Sequence, residues 1–231
     1  MATIHIFIQS KTTGKSLFAA FLAQYLGEER GEKTQCADLD ILFGSLKGFA
    51  ALKATQVEVK DVPAYCRAIP QDTAHVIMDV SVGVFFDFCG QFRSRILPAL
   101  EQGGHSPLLH TVITGGGQMM ETYNGFHNLA ENFPGLPFVV WLNPYYGEIA
   151  AESRSFEESG VFMRHKDAVR ALVRLPLCTD LTKEDVRDMY TAHLTFKEAL
   201  ERTDNSIAVR SRLNKHRESL YAALKSANLC G

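Results

Sequence analysis

The sequence predicts an α/β fold, a mostly parallel sheet with helices on both faces, and three observations carry that reading. Short apolar runs recur along the chain, each followed by a segment long enough for a helix, the alternation that builds parallel sheets. The first run opens the chain and leads through a short polar loop into a strongly periodic helix. The composition is that of an ordinary globular chain of 231 residues, 46% hydrophobic and 22% charged, enough for a substantial core. No Pro/Ser-rich linker, low-complexity run or repeat divides it, so a single domain over residues 1–231 is expected.

Taken in order, Ile4 to Ile8 (IHIFI) is the first strand. In the following SLFAAFLAQYLGEE, Phe18, Leu22, Tyr25 and Leu26 recur at helical spacing and mark a buried face. Lys33 to Leu39 is a more polar strand, expected at an edge of the sheet. His75 to Val80 (HVIMDV), Leu108 to Thr114 (LLHTVIT), Phe138 to Leu142 (FVVWL) and Ala168 to Leu175 (AVRALVRL) complete about six strands. The stretch from Lys60 to Gln71 fits helix and strand equally. From Thr182 to about 228 the chain reads helical. Phe85, Phe86, Phe88 and Phe92, after the His75 strand, are expected in the core.

Several function classes are excluded early. The formal net charge is −2, so no global polycation points to nucleic acid. Five cysteines, at 36, 66, 89, 178 and 230, show no metal-ligand or CxxC spacing and read as reduced thiols of a cytoplasmic protein. The eight histidines are dispersed, and His105, His110 and His127 are expected as core or surface residues rather than ligands. No apolar run of 18 residues is present, and no transmembrane segment or leader is expected.

The chemistry concentrates in FIQSKTTGKS, residues 7–16. In a phosphate-binding loop, backbone N–H groups and a helix start face the phosphates, a lysine reaches the β/γ-phosphates, and a Ser hydroxyl binds Mg²⁺. Gly14, Lys15 and Ser16 stand between a strand and a helix, the context such a loop needs. A second element is Asp79, a carboxylate closing an apolar strand and suited to a Mg²⁺ shell. A third is Asp38-Leu39-Asp40, ending the second strand at the same edge of the sheet. The plainer alternative makes Asp38 and Asp79 strand-end or turn residues, and the convergence of all three elements weighs against it.

The order of a GKS loop, Asp-x-Asp after the second strand, an apolar strand ending in Asp and an Asn ending the fifth strand resembles the ParA/MinD deviant-Walker P-loop ATPases. IHIFIQ, LHTVITGG, NGFHNLAENFP and FVVWLNPYYG narrow the resemblance to plasmid-borne groups, the conjugal transfer TraL and plasmid stability StbB proteins. The resemblance implies a single-domain P-loop NTPase that binds ATP and Mg²⁺, hydrolyses slowly and forms an ATP-dependent homodimer. It implies a role in plasmid stability or positioning, or in conjugative transfer, beside a plasmid DNA-binding or transfer protein. By position, Lys15 is the phosphate lysine and Ser16, Asp38 and Asp79 serve the metal. Asp40 orients the attacking water, Asn143 approaches the adenine, and Pro176 and Leu177 line the base pocket. A turn before Pro144 is the alternative for Asn143.

Family loops read GKGGVGKS or GKGGVGKT. Aligned without a gap, Gln9 stands for the first glycine, Ser10 for the signature lysine, Lys11 and Thr12 for the next two glycines, and Thr13 precedes Gly14. In a loop one residue shorter, Lys11 keeps the lysine role and reaches the partner subunit's nucleotide. Phosphate geometry fixes loop length, which favours the gapless alignment. A Thr or Lys forced to positive φ costs roughly 1 kcal/mol or more, unless the loop takes another path. Two further readings compete: a non-catalytic nucleotide-binding adaptor for a plasmid DNA-binding protein, and a small-molecule kinase or ligase on the same fold. Arg210, Arg212, Lys215, His216, Arg217 and Lys225 on the last helix offer a non-specific DNA contact, against an ordinary solvated helix face.

Overall fold

The computed structural model describes residues 1–40, 42, 44–151 and 154–229. The strands are β1 (Thr3–Phe7), β2 (Thr34–Asp38), β3 (Thr55–Gln56), β4 (His75–Asp79), β5 (Ser106–Thr114), β6 (Phe138–Asn143), β7 (Ala150–Ala151), β8 (Arg154–Ser155) and β9 (Val169–Arg174). The α-helices are α1 (Lys15–Gln24), α2 (Val62–Arg67), α3 (Phe85–Gln91), α4 (Leu97–Gln102), α5 (Met119–Asn132), α6 (Gly160–His165), α7 (Asp180–Thr191), α8 (Phe196–Glu201) and α9 (Ile207–Ala227). The architecture is α/β, with a seven-stranded, mostly parallel sheet in the order β3-β2-β4-β1-β5-β6-β9 and a separate antiparallel pair, β7 and β8.

The described residues form two compact units. One comprises Met1–Thr111 with Gly135–Phe138, the other Val112–Pro134 with Val139–Gly231. In the first unit β1 lies between β4 and β5, and β2 lies between β3 and β4, all in parallel. The polar second strand is therefore not the edge, as its composition suggested. Thr55 and Gln56 pair with Ala37 and Asp38 and form the edge themselves. α1 packs on β1, β2 and β4 and buries Phe18, Phe21 and Leu22, each worth about 2 kcal/mol on removal from water. The helix is not uniform: after Gln24 it widens into a π turn over Tyr25–Glu29. Residues 59–61 form a 3₁₀ turn that leads into α2, which settles the ambiguous stretch as helical.

Phe88 and Phe92 are fully buried, one helical turn apart. Phe86, two residues from Phe88 and so on the other side of α3, is 82% exposed. The expected phenylalanine cluster is thus core on one face only. Cys36, Cys66, Cys89 and Cys178 are unbridged, and burial pushes the Cys36 and Cys66 thiols up to about 12. Cys230 lies outside the described residues.

A chain of buried histidines crosses this unit. His75 Nε2 lies 2.6 Å from Glu32 Oε2, His5 Nε2 lies 3.1 Å from His75 Nδ1, and His110 Nε2 lies 3.0 Å from His5 Nδ1. Glu32 is acceptor-only when ionised, which fixes every proton in turn. His75 donates to Glu32 through Nε2, His5 to His75, and His110 to His5, so all three rings are neutral Nε2–H tautomers. Burial opposes the Glu32 charge, but hydrogen bonds from Arg30 and His75 prevail and hold its carboxyl below the usual range. Burial pushes His110 down to about 3 and His5 well below its ordinary value, with neighbouring histidines adding to the His5 shift.

In the second unit, Gly115 and Gly116 meet the turn after β6 at close range. A Cβ on Gly115 would stand 1.9 Å from the Gly147 carbonyl oxygen, and one on Gly116 2.5 Å from that of Tyr146. Gly116 also has φ +70°. The segments TGGG and NPYYG are thus fitted to one another, and only glycine allows the approach. α9 packs on α7, α8 and β9 and buries Leu213, Leu220, Tyr221 and Leu224.

Candidate nucleotide site

The loop between β1 and α1 is built without the glycines common to such loops. Ile8 continues the strand, its N–H donating to the His110 carbonyl at 2.9 Å. Gln9 is buried, and its side-chain oxygen accepts hydroxyls from Thr13 at 3.3 Å and Thr111 at 3.4 Å. These bonds tie both ends of the loop to the sheet. Among the described non-glycine residues positive φ occurs only at Lys53, His193 and Asn228, so Gln9 to Thr13 carry no left-handed strain. The loop has taken the other path open to it, and the single left-handed residue is Gly14, at φ +82°.

Gly14 is the N-cap of α1 and its carbonyl receives the N–H groups of Leu17 and Phe18. No side chain caps this helix start and no acidic residue stands in its first turn. No carboxylate of the helix's own first turn therefore offsets its partial positive end. Lys11 and Thr12 are exposed, while Ser10 and Ser16 are half-buried. The Ser16 hydroxyl has no hydrogen-bond partner among the described residues.

Lys15 begins α1 and is only 5% exposed, with its ammonium bonded to Asp79 Oδ1. Asp79 closes β4 and is fully buried, and its Oδ2 has no hydrogen-bond partner among the described residues. The parallel register sets Asp79 beside Phe7 on one side and Asp38 on the other. Two buried carboxylates thus stand on adjacent strands, about 4.8 Å apart in strand spacing, against one lysine. Burial raises the Asp38 carboxyl, and the Asp79 charge adds to that rise. Three backbone amides oppose it: Oδ1 accepts from Asp40 N at 2.8 Å, and Oδ2 from Leu46 N at 2.8 Å and Lys47 N at 2.7 Å.

Asp40 is also occupied locally. Its Oδ1 accepts from Leu42 N at 3.1 Å and its Oδ2 from the Ser45 hydroxyl at 3.1 Å, so it shapes the turn that Asp38 anchors. In the second unit, Asn143 ends β6 and its Oδ1 accepts from Tyr145 N at 3.1 Å, the turn role weighed above. Leu175 N donates to Leu142 O at 3.0 Å, which sets Pro176 beside Asn143 at neighbouring strand ends. Leu177 is 85% exposed. The structure brings Lys15, Ser16, Asp38, Asp40 and Asp79 to one set of strand ends in the first unit. Asn143, Pro176 and Leu177 gather in the second.

The last helix offers less basic surface than its composition suggests. Arg212 pairs bidentately with Asp185 of α7 at 2.5 and 3.0 Å. His216 faces the Cys178 thiol, and burial pushes it down to about 4.

A protein named TraL from Escherichia coli is 34% identical over 239 aligned residues, which cover 98% of this chain and 99% of that protein. The chain belongs to the TraL family. A second E. coli TraL is 33% identical over the same span, and no protein-family model matches. Among solved structures, the cell division ATPase MinD of Pyrococcus furiosus superposes with a TM-score of 0.54, at 14% identity over 98% of this chain and 99% of that one. MinD of Aquifex aeolicus gives 0.50 at 12% identity, over 96% and 98%. The TraL-family chain therefore has the MinD-type P-loop fold. Among the described residues no helix is long and apolar enough to cross a membrane.

Proposed function

We propose that the chain is a nucleotide-dependent switch that binds ATP with Mg²⁺ at the start of α1 and hydrolyses it slowly. One observation carries the reading: Lys15, at an uncapped helix start, is paired with a buried Asp79 whose second oxygen has no partner among the described residues. Two buried carboxylates against one lysine leave room for a divalent cation in the charge balance, and the donors present are the oxygens that Mg²⁺ takes. Ser16 and Asp79 would hold the ion, with Asp38 behind them, its oxygens already fixed by backbone amides. Bound there, Mg²⁺ would offset the charge of the β- and γ-phosphates. Lys15 binds the phosphates, the α1 N–H groups orient them, and Lys11 extends to a second subunit. Kinship with the family supports a contact of Asn143, Pro176 and Leu177 with the planar base. The kinship with TraL supports a plasmid setting, in conjugative transfer or plasmid stability, with a cytoplasmic dimer acting on a plasmid DNA-binding or transfer protein.

A second reading has its own support. Both Asp40 oxygens are engaged in the turn, which favours an adaptor that binds nucleotide without turnover. One experiment separates the two. ATP binding, phosphate release and solution mass are measured with Mg²⁺ for the wild type and Lys15→Ala, with folding followed by circular dichroism. Lys15-dependent binding, slow hydrolysis and a change of mass support the switch. Binding without hydrolysis supports the adaptor, and absence of binding by the folded wild type overturns both.

A further inference from the structure

The second unit carries a cluster that the nucleotide site does not use. His127 and Glu131 stand four residues apart on α5 and so share one face of the helix. His165 ends α6, which packs on α5. His127 Nδ1 and His165 Nε2 are 2.7 Å apart, and Glu131 Oε1 lies 3.7 Å from His165 Nε2. All three ligand atoms fall within 4.8 Å of one another.

We propose that His127, Glu131 and His165 form a binding site for a divalent transition-metal ion of the Zn²⁺ class, with the fourth coordination position left to water or an anion. The donor set selects the metal. Two imidazoles and one carboxylate suit Zn²⁺, whereas Mg²⁺ and Ca²⁺ take oxygen ligands. Spacing agrees. Ligands about 2.0–2.1 Å from a tetrahedral ion are about 3.4 Å from one another, and the separations of 2.7 and 3.7 Å bracket that value. For these two pairs the adjustment needed is below an ångström, and Glu131, 59% exposed, is free to move toward the ion.

Preorganisation comes from the other two ligands. His165 is 9% exposed and its ring stands edge-on to Phe126 at 5.8 Å, so the imidazole is held by packing. His127 also lines a cavity of about 420 Å³ together with Tyr123, Ser159, Arg154 and Arg164. That cavity gives an ion a way in and holds space for the fourth ligand. The two arginines favour an anion in that position. Sequence spacing alone placed His127 among non-ligands because its partner imidazole lies 38 residues away.

The test uses the full chain stripped with a chelator, in saturating Mg²⁺, titrated with Zn²⁺ by calorimetry and with Co²⁺ by visible absorption. One Zn²⁺ per chain and the absorption of tetrahedral Co²⁺ are expected. Glu131→Gln should weaken binding about tenfold or more, and His165→Ala should abolish it. Cys178→Ser should leave it unchanged, which separates this site from the Cys178–His216 pair. Glu131→Gln is an exposed change that preserves the fold, so it decides the matter even where a histidine variant fails to fold. Absence of binding by the wild type, or binding unaltered in Glu131→Gln, overturns the proposal.

Discussion

Acidification should destabilise the protein through the histidine chain of the first unit. His110 is fully buried and neutral, and burial holds it at about 3, against about 6.5 in an unfolded chain. The sign follows from the protons bound. Below pH 6.5 the unfolded state takes up a proton that the folded state refuses, so stability is complete above that value and is lost as pH falls. At pH 5 the loss from His110 alone is about 1.5 units at 1.36 kcal/mol each, or about 2 kcal/mol. His5 and His75, also shifted down chiefly by burial, act in the same direction. Asp38, shifted up, acts in the opposite one: its raised carboxyl gains relative stability as pH falls through its folded value. A total folding stability of about 5–15 kcal/mol makes the histidine loss readily visible. Urea midpoints by circular dichroism, read from pH 7.5 to 5, should fall steadily. In a His5→Leu/His110→Leu double variant the baseline should be lower, because His75 Nδ1 loses its donor, but the slope should shrink. A flat wild-type profile, or a double variant with the wild-type slope, would refute the tautomer chain.

Other expectations concern single positions. Gly14→Ala should cost about 1–2 kcal/mol from its left-handed backbone alone, since the added Cβ meets only the Phe18 ring at an ordinary 3.7 Å; thermal melts measure this, and a neutral change would mean the loop can rearrange. Asp79→Asn leaves the Lys15 ammonium buried without its counter-charge, so a loss of about 3 kcal/mol or more is expected in urea melts, together with loss of Mg²⁺-dependent nucleotide binding in a filter assay. Gly115→Ala drives a Cβ into the Gly147 carbonyl, and the measurable result should be poor soluble yield or a melting temperature lower by several degrees; wild-type stability would show that the two turns are not rigidly fitted.

What could be read from sequence, and what could not, divides along physical lines. Parallel strands buried on both faces read as continuous apolar runs, so β1, β4, β5 and β6 are legible within a residue or two, while β9, last in the sheet order and only partly buried, is legible from the apolar residues between its exposed arginines. Thr55 and Gln56 carry no such signal, being two exposed polar residues, so the sequence does not reveal the edge strand. The π turn at Tyr25–Glu29 keeps nearly the same apolar spacing as an α-helix, so periodicity alone does not reveal it. The histidine chain was invisible because residues 5, 75 and 110 meet only through the parallel register.

The candidate nucleotide site shows the same division more sharply. The meeting of Lys15 with Asp79 is legible because each occupies the end of an element at the same edge of the sheet. Asp38 was only half legible: a carboxylate closing a strand looks alike in sequence whether it serves a metal or gathers backbone amides, and here it gathers three. The missing glycines point to a different conclusion from the one their absence first suggests. Positive φ is what calls for glycine in a loop of this kind, and in this loop φ is positive at Gly14 alone. Gln9 and Thr13 occupy the remaining positions with side chains that bond to each other and to Thr111. Loop substitutions of this kind therefore exchange an open backbone for a side-chain brace. Their consequence for a nucleotide lies in how many backbone N–H groups the braced loop still presents, not in stored strain.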